Sequence, residues 1–310
     1  MADATYKPKV YRKQGGDEFV VANGGRITIE PGGEITGGFL PQGYVYHVDG
    51  EDGSDSNDGL TWATAVQTIA AARTLAHANI DWSDGETMQY VLVRCGVYAE
   101  ELGGIYYTTY IGQGIRGTDS AAEIHPTENS CIAGTLLSAG FINMRFEVDE
   151  ASTPIIDGGI VNNSFFLDCE FALGANVAGV AAIDTENCTH LEVSNCEFTS
   201  GQLQNMAYNI YHRGGADKYA HNVRIKNCRM FAATANVYVD SLCTATQMVI
   251  GPDNFMAGAA KGVDDNNGNS YVFGNFITAT DAIEHANSAT QCVGNYVINN
   301  GTGAVETTHV

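Results

Sequence analysis

A short phrase returns along the second half of the chain, and this recurrence limits the folds that the chain can adopt. From Cys169 to Cys196 and on to Cys228 the steps are 27 and 32 residues, and Asn254 and Asn275 are 21 residues apart. A repeat of this period is typical of proteins built from stacked structural units. The copies are Phe141–Phe146, Phe165–Phe171, Leu191–Phe198, Val223–Met230, Val249–Phe255, Tyr271–Ile277 and Gln291–Val297.

The repeating unit is predicted to be a coil of short β-strands. Apolar residues fall near every second position within each phrase, which indicates a strand and not a helix. Asn, Gly, Asp, Ser and Thr fill the gaps and favour tight turns. Stacked coils of this kind form a parallel β-helix, in which every rung covers the one below. A Cys at one spot of successive coils then forms an internal stack, and an Asn at one turn forms a hydrogen-bonded ladder.

Charge and composition exclude several classes of function. Lys and Arg number 15 against 36 Asp and Glu, and the formal net charge is −21. Such a surface repels nucleic acid and anionic membranes, so neither is expected as a partner. No apolar run is long enough to span a membrane, and the first residues contain no apolar signal core. Synthesis in a cytosol is therefore expected.

The eight cysteines are predicted to be mostly buried free thiols. They include no Cys-x-x-Cys pair, which argues against a structural zinc site. A reducing compartment rarely maintains disulfides. No cofactor and no metal are predicted.

Residues 1–43 are predicted to form a segment distinct from the β-helix of residues 44–310. The start of the chain is basic, through Lys7, Lys9, Arg12 and Lys13. A basic arm on an acidic body suggests docking to another, acidic surface, and a solvated terminus is the alternative. Double glycines then recur at positions 24, 32 and 37, separated by short alternating strands such as Arg26–Glu30 that are too short to fold alone.

The region from 44 to 111 is predicted to contain the first coil and its cap. Tyr44–Gly50 reads as a strand, and the next segment has one apolar helical face from Val66 to Ala76 with Thr64 as N-cap. A short amphipathic helix here would cover the open end of the solenoid. The acidic loop between them does not fit the EF-hand pattern and is read as a self-capping turn, with a loose cation site as the alternative.

Two stretches resemble known families. The segment Val48–Ala72, followed by Tyr90–Glu100, resembles the opening of right-handed, pectate-lyase-like parallel β-helices, a superfamily that includes phage tailspikes and polysaccharide-processing enzymes. The glycine doublets resemble the N-terminal segments of bacteriophage virion proteins. These resemblances imply a right-handed, single-stranded β-helix carried on a virion, but one fold hosts many activities.

Two longer insertions are predicted between the coils, at Gln113–Asn129 and Ser200–Ala220. They are expected to project from the stack as loops, where function is often found. The second is rich in side chains that suit sugar binding or a protein interface, including a contact within a trimer. The candidates for glycan or interface contacts are Tyr208, Tyr211, His212, Arg213 and Tyr219.

The search for catalytic groups yields only alternatives. Glycoside hydrolysis needs two carboxyl groups on either side of the scissile bond. Pairs that fit are Asp168 with Glu170, Asp184 with Glu186, and Glu170 with Glu197 of the next rung. Such pairs arise by chance among 36 acidic residues. The basic residues Arg224, Lys226 and Arg229 are read as partners of Glu192 and Glu197 across adjacent strands.

The sequence therefore favours a structural or binding role over an enzymatic one. The expected protein is a homotrimeric bacteriophage virion protein, a capsid decoration protein, fibre or spike. It would be anchored to other virion proteins through residues 1–43, with host or environmental glycans as candidate ligands. A polysaccharide-degrading hydrolase or lyase of the tailspike type is the alternative, and a free glycan-binding module is the third class.

Overall fold

The structure is a computed structural model of the 310-residue chain. It describes residues 10–12, 19–21, 44–80, 82, 87–115, 120–149, 152–174, 180–200, 206–215, 217–243, 245–258, 260–266, 269–285, 290–299 and 305–309. The predicted strand Arg26–Glu30, the glycine doublets and the basic residues Lys7, Lys9 and Lys13 lie outside these ranges. Arg12 is described only as the last residue of a strand.

The chain divides into two compact units, Met1–Pro41 and Gln42–Val310. In the first unit, the strands β1 (Val10–Arg12) and β2 (Phe19–Val21) pair antiparallel, with Val10 opposite Val21. No described helix is long and apolar enough to cross a membrane.

The second unit consists of strands, one 3₁₀ turn and one helix within the described ranges. The turn is Trp62–Thr64 and the helix α1 is Ile69–Ala78. The strands are β3 (Val45–Val48), β4 (Gln89–Val93), β5 (Gly96–Tyr98), β6 (Ile105–Tyr106), β7 (Thr108–Gly112), β8 (Ala122–Ile124), β9 (Ile132–Ala133), β10 (Leu136–Leu137), β11 (Gly140–Ile142), β12 (Met144–Val148), β13 (Ile156–Leu167), β14 (Glu170–Leu173), β15 (Ala181–Ser194), β16 (Glu197–Ser200), β17 (Tyr208–His212), β18 (Tyr219–Lys226), β19 (Arg229–Ala232), β20 (Ala235–Val239), β21 (Ala245–Ile250), β22 (Phe255–Gly258), β23 (Lys261–Asp265), β24 (Tyr271–Phe273), β25 (Phe276–Ala279), β26 (Asp281–His285), β27 (Gln291–Asn299) and β28 (Val305–His309).

The strands stack in parallel, which confirms the β-helix predicted from the sequence. Each strand pairs with strands one coil before and one coil after it, as β13 does with β9 and β15. One stack runs β12, β14, β16, β19, β22, β25 and the end of β27. A second runs from the start of β13 through β15, β17, β20, β23 and β26. Among the described strands of this sheet, β28 alone pairs antiparallel, and its partner is β27.

The interior is filled by like side chains stacked from rung to rung. The rings of Tyr110, Phe141 and Phe166 stack at centroid distances of 5.4 and 5.0 Å. Phe171 and Phe198 stack at 4.8 Å in the neighbouring column. Parallel rungs place equivalent residues one above another, so one apolar ring forms the floor for the next.

The recurring Cys and Asn also stack, as predicted, in a column that we call the inner column. Asn254 donates to the side-chain oxygen of Asn275, and Asn275 donates to that of Asn295, both at 2.9 Å. The three amides also donate to main-chain carbonyls, Asn275 to Ile250 at 2.9 Å. Seven of the eight cysteines are buried and all eight are free thiols, while Cys95 is exposed. The inner column contains Met144, Cys169, Cys196, Cys228, Asn254, Asn275 and Asn295.

The residue before each member of the inner column has a positive φ angle, and we call these residues the turn column. Its φ angles run from 52° at Asn227 to 64° at Gly294. Asn, Asp and Gly are the residues that most readily adopt this left-handed conformation. The turn column contains Asn143, Asp168, Asn195, Asn227, Asp253, Gly274 and Gly294.

A helix covers the first rungs, as predicted, but it begins at a different residue. Helix α1 buries Ile69, Ala72 and Ala76 in the core of the first rungs. Its N-cap is Thr68, whose side chain accepts from Ala71 N, and not Thr64, which ends the 3₁₀ turn. Thr64 cannot cap the helix because the backbone is extended at Ala65, with φ −60° and ψ 146°. At the true start of the helix, the Glu100 carboxylate also accepts from the amides of Ile69 and Ala70.

The structure also confirms two predictions for the start of the second unit. The first rung is β3, whose Val45 pairs with Tyr90 of β4, so the first coil lies within residues 44–111 as predicted. The acidic loop is self-capped, as predicted: Asp49 Oδ1 accepts from the amides of Glu51 and Asp52 at 3.2 Å.

The two predicted insertions are not simple loops. The segment Gln113–Asn129 contains β8, and the segment Ser200–Ala220 contains β17, both of which are rungs of the stack. In β17 the buried Ile210 lies between Asn209, which is also buried, and the half-buried Tyr211, so the polar composition concealed the strand pattern.

The Asn ladder gives a direct test of what holds the last coils together. In the variant Asn275→Ala, the Asn254 amide, the Asn295 oxygen and the Ile250 carbonyl each lose a partner inside the coil. Because unpaired buried polar groups are costly, we expect the free energy of unfolding to fall by about 3 kcal/mol. Denaturant unfolding measures this, with Asn269→Ala at an exposed site as control. An equal effect in both variants would contradict a stabilising role for the ladder.

Candidate functional site

The outer face of the second stack carries most of the candidate residues that the sequence suggested. Along this face, Asp157, Asp184, Tyr211, Tyr238 and Asp264 occupy equivalent positions in successive rungs. We call this surface the tyrosine face. Since the rungs are parallel and in register, these side chains follow each other at about the 4.8 Å spacing of paired strands.

Three tyrosine rings form the centre of the face. The ring centroids of Tyr208 and Tyr238 are 4.7 Å apart, those of Tyr208 and Tyr211 are 5.0 Å apart, and those of Tyr211 and Tyr238 are 5.4 Å apart. All three side chains are half-buried. Burial raises the pKa of Tyr211 to about 12, so its hydroxyl stays protonated and able to donate at neutral pH.

A cluster of acids around Arg213 lies on one side of the tyrosines. The guanidinium contacts Asp184 Oδ1 through Nε at 2.6 Å and Glu186 Oε1 through Nη1 at 3.3 Å. It also pairs with Asp157, and Lys218 pairs with Glu186. Two cations thus face three carboxylates, which leaves the cluster with a net negative charge when all three are ionised.

Asp184 is the most perturbed acid of this cluster. Its side chain is only 5 % exposed. Desolvation raises its pKa to about 6, against the opposing effect of Arg213, and the nearby charges of Asp157 and Glu186 raise it further. A carboxyl group that exchanges its proton near neutral pH is suited to acid–base chemistry.

A second charged cluster lies on the other side of the tyrosines. Lys261 contacts Asp264 Oδ2 at 2.7 Å and also pairs with Glu284. The Lys261 pKa is raised: burial opposes the charged form, but the hydrogen bonds to these two carboxylates outweigh it. The tyrosine face therefore presents aromatic rings between two sets of charged oxygen and nitrogen atoms.

The structure brings together five of the residues singled out in the sequence. These residues are Tyr208, Tyr211, Arg213, Asp184 and Glu186. The other five candidates lie elsewhere.

The structure corrects the expectation that His212 contacts a glycan or a partner. The residue is only 3 % exposed, and its Nδ1 lies 2.7 Å from the buried Thr185 hydroxyl. Burial lowers the pKa of His212 to about 4, so the ring is neutral. Tyr219 begins β18 and its ring lies against His221, at a centroid distance of 5.3 Å.

The remaining acidic candidates belong to other surfaces. Asp168 lies in the turn column, where its carboxylate accepts from Asn195. Glu170 and Glu197 are paired across adjacent rungs, as predicted. Glu170 lies 4.0 Å from Arg145, and Glu197 lies 3.1 Å from Arg229. The predicted pairing of Lys226 with Glu192 is present at 2.8 Å, which supports a structural reading of these basic residues.

Four residues of the tyrosine face and its clusters were not among the sequence-based candidates: Asp157, Tyr238, Lys261 and Asp264. No repeat phrase marks the second stack, because its polar outward residues alternate with short apolar ones such as Val237 and Val263. The signal that could have found them is the spacing of 27 residues between Asp157 and Asp184 and between Asp184 and Tyr211, which equals the coil length.

One group outside the tyrosine face has the composition of a metal site. Ligand atoms of Glu123, His125 and Glu147 lie within 4.8 Å of one another. Arg145 pairs with Glu147 and lies 3.7 Å from Glu123, so it already supplies a positive charge to this group. Because the guanidinium competes with any cation there, we assign no metal to it, and the prediction of a metal-free protein stays a prediction.

Comparison with known proteins adds little to this geometry. No protein family matches the chain, and no curated protein matches it. Among solved structures, the GH136 lacto-N-biosidase from Eubacterium ramulus matches with 11 % sequence identity and a TM-score of 0.35. The match covers 83 % of this chain and 56 % of that one. This similarity is too low to carry an argument.

Removing Arg213 tests the electrostatics of the cluster. In Arg213→Ala, three carboxylates lose their shared partner. At pH values above the pKa of Asp184, we expect the free energy of unfolding to fall by about 2 kcal/mol. Loss of the cation raises the pKa of Asp184 in the variant further above its unfolded value. The deficit therefore shrinks as the pH falls from this raised pKa toward about 6, because over that range Asp184 is protonated in the variant and still ionised in the wild type.

Denaturant unfolding at several pH values measures this effect. The matched control is Arg229→Ala, since Arg229 is 62 % exposed and pairs with one carboxylate, and its cost is expected below about 1 kcal/mol. A deficit that is the same at all pH values would contradict the assignment.

Proposed function

We propose that the protein binds carbohydrate on the tyrosine face and does so as part of a bacteriophage virion. The observation that carries the binding proposal is the contact of three tyrosine rings, 4.7 to 5.4 Å apart, between two charged clusters. Ligand sites combine apolar or aromatic surface with a few well-placed polar groups. The face offers both, on rigid strands.

The chemistry of the face suits sugar rings. A pyranose has apolar C–H surfaces that pack on aromatic rings and hydroxyl groups that both donate and accept. Asp157, Glu186 and Glu284, whose side chains are 34 to 52 % exposed, accept hydrogen bonds from such hydroxyls. Arg213 and Lys261 donate to hydroxyl and ring oxygens. The formal charge of −21 disfavours polyanions, so neutral or sparsely charged glycans are the proposed class.

Binding is tested with a glycan array followed by calorimetry on the ligands that bind. Replacing one aromatic group at a binding surface commonly costs more than a tenfold loss of affinity, so we expect that loss in Tyr211→Ala and in Tyr238→Ala. Tyr271→Ala is the control, since Tyr271 is 38 % exposed on another stack. Full affinity in both tyrosine-face variants, with unchanged melting temperatures, would contradict the proposal.

The virion assignment rests on the sequence. The glycine doublets of residues 15–38 resemble phage virion segments, and the basic residues Lys7, Lys9, Arg12 and Lys13 oppose the acidic remainder of the chain. We propose that residues 1–43 attach a homotrimer to other virion proteins.

Light scattering of the purified protein is expected to give three times the chain mass, and co-sedimentation with particles is expected to be lost when the four basic residues are changed to Glu. A monomer that does not attach to particles would contradict this part of the proposal.

A polysaccharide hydrolase is the second candidate, favoured by the raised pKa of Asp184 beside other carboxylates. In this reading Asp184 protonates the leaving oxygen, and Asp157 or Glu186 acts as the second carboxyl group. A reducing-sugar assay on the polysaccharides that bind is expected to show activity that falls at least about a hundredfold in Asp184→Asn. Binding without any release of reducing sugar would exclude this candidate.

A further inference from the structure

Two columns of the β-helix change their character in consecutive coils. The outward residue after each member of the inner column forms what we call the outer column: Arg145, Glu170, Glu197, Arg229, Phe255, Phe276 and Tyr296. Its first four members are charged and its last three are aromatic. The turn column beside it carries Asn or Asp as far as Asp253 and then becomes glycine at Gly274 and Gly294.

The glycines open a cleft at the surface. It has a volume of about 330 Å³. In earlier coils the turn column is filled by side chains that bond to each other, as Asn227 does to Asn195 at 3.1 Å. At Gly274 and Gly294 there is no side chain to continue the ladder. The cleft is lined by Asp253, Asn254, Phe255, Gly274, Asn275, Phe276, Gly294 and Tyr296.

The backbone does not require glycine at position 294. The φ angle of Gly294 is 64°, close to the 62° at which Asp253 carries a side chain in the same column. A Cβ atom added to Gly294 would meet no atom within 4 Å. An Asn would therefore fit the fold at Gly294. The geometry of the turn does not explain why this position lacks a side chain.

An aromatic wall borders the cleft over three rungs. The rings of Phe255 and Phe276 stack at 5.3 Å with an interplanar angle of 8°, and those of Phe276 and Tyr296 stack at 5.1 Å and 19°. Phe255 is 37 % and Tyr296 is 44 % exposed, although apolar burial would favour covering them. Asp253 is exposed at the opposite side of the cleft.

We propose that this cleft is a second carbohydrate site, which holds a linear oligosaccharide along the axis of the solenoid. This proposal takes its class of ligand from the proposed function and adds a second binding site on a different stack. Successive sugar rings would lie against successive aromatic rungs, with their hydroxyl edges toward Asp253 and the glycine turns.

The make-up of the cleft selects this ligand. One wall is apolar and the other side is polar, which matches a pyranose with an apolar C–H surface and a hydroxyl edge. A wholly apolar ligand would leave the exposed Asp253 carboxylate unpartnered by ligand and partly desolvated. An anionic ligand would meet that carboxylate and the acidic surface, and no cation is among the lining residues.

Filling the cleft is the sharpest test. Calorimetric titrations with cello-, manno-, malto- and chito-oligosaccharides identify an oligosaccharide that binds the full chain. We expect Gly294→Asn to weaken this binding at least tenfold, because the new side chain occupies the cleft as the turn column does elsewhere. We expect the same loss in Phe276→Ala, which removes the middle ring of the wall. Val97→Asn is the control, since Val97 is 63 % exposed in β5, outside both the cleft and the tyrosine face.

The tyrosine-face variant Tyr211→Ala separates the two sites. Loss of binding in Gly294→Asn and Phe276→Ala, with at least one class of sites retained in Tyr211→Ala, supports the second site. Loss only in Tyr211→Ala overturns the second site and leaves the proposed function standing. If no oligosaccharide binds, the cleft is not a carbohydrate site. If Gly294→Asn changes the mass measured by light scattering, the cleft is a contact between copies of the chain and again not a carbohydrate site.

Discussion

The structure depends on the in-register pairing of parallel strands from one coil to the next. This pairing fixes every side chain above its equivalent, so a residue is placed by its column as much as by its neighbours in sequence. Inside the coil the consequence is a requirement for like residues: aromatic rings stack on aromatic rings, thiols on thiols and amides on amides. Outside the coil the same pairing turns single residues into continuous surfaces.

The inner column shows how this constraint handles polar groups. A buried Asn is costly unless its amide is paired, and one isolated Asn in a coil would leave donors without acceptors. Three successive Asn residues satisfy one another and the carbonyls of the coil below, as Asn254 does with Asn275 at 2.9 Å. Cys residues need no such partners and fill the same column in the middle coils.

Both proposed binding surfaces follow from the outward columns. On the tyrosine face, Tyr211 and Tyr238 are equivalent residues of neighbouring rungs, and Asp184 lies one rung before Tyr211. At the cleft, Phe255, Phe276 and Tyr296 are equivalent in the same way. A ligand with repeating units parallel to the solenoid axis is suited to surfaces that repeat along that axis.

The sequence predicted the coil where its repeat phrase was visible and failed where it was not. The Cys and Asn columns, the pairing of Glu170 with Glu197 and the contact of Lys226 with Glu192 were predicted, because each depends on residues within or next to the phrase. The strand β17 was read as a loop, since its tyrosines and amides hide the alternation around Ile210. His212 was misassigned because alternation alone does not fix which side of a short strand faces inward. The cleft at Gly294 exists because the turn column has glycine at positions 274 and 294, and the lack of a side chain at these positions forms no recognisable sequence motif.

Hydrogen–deuterium exchange of the full chain, with and without a saturating bound oligosaccharide, tests the central claim most directly. The account predicts slower exchange in peptides that cover residues 206–215 and 235–243, where the tyrosine face lies, and unchanged exchange in the rungs of residues 89–112 as an internal reference. Protection confined to other rungs, or no protection at saturating ligand, would contradict the assignment of the tyrosine face as a carbohydrate-binding surface.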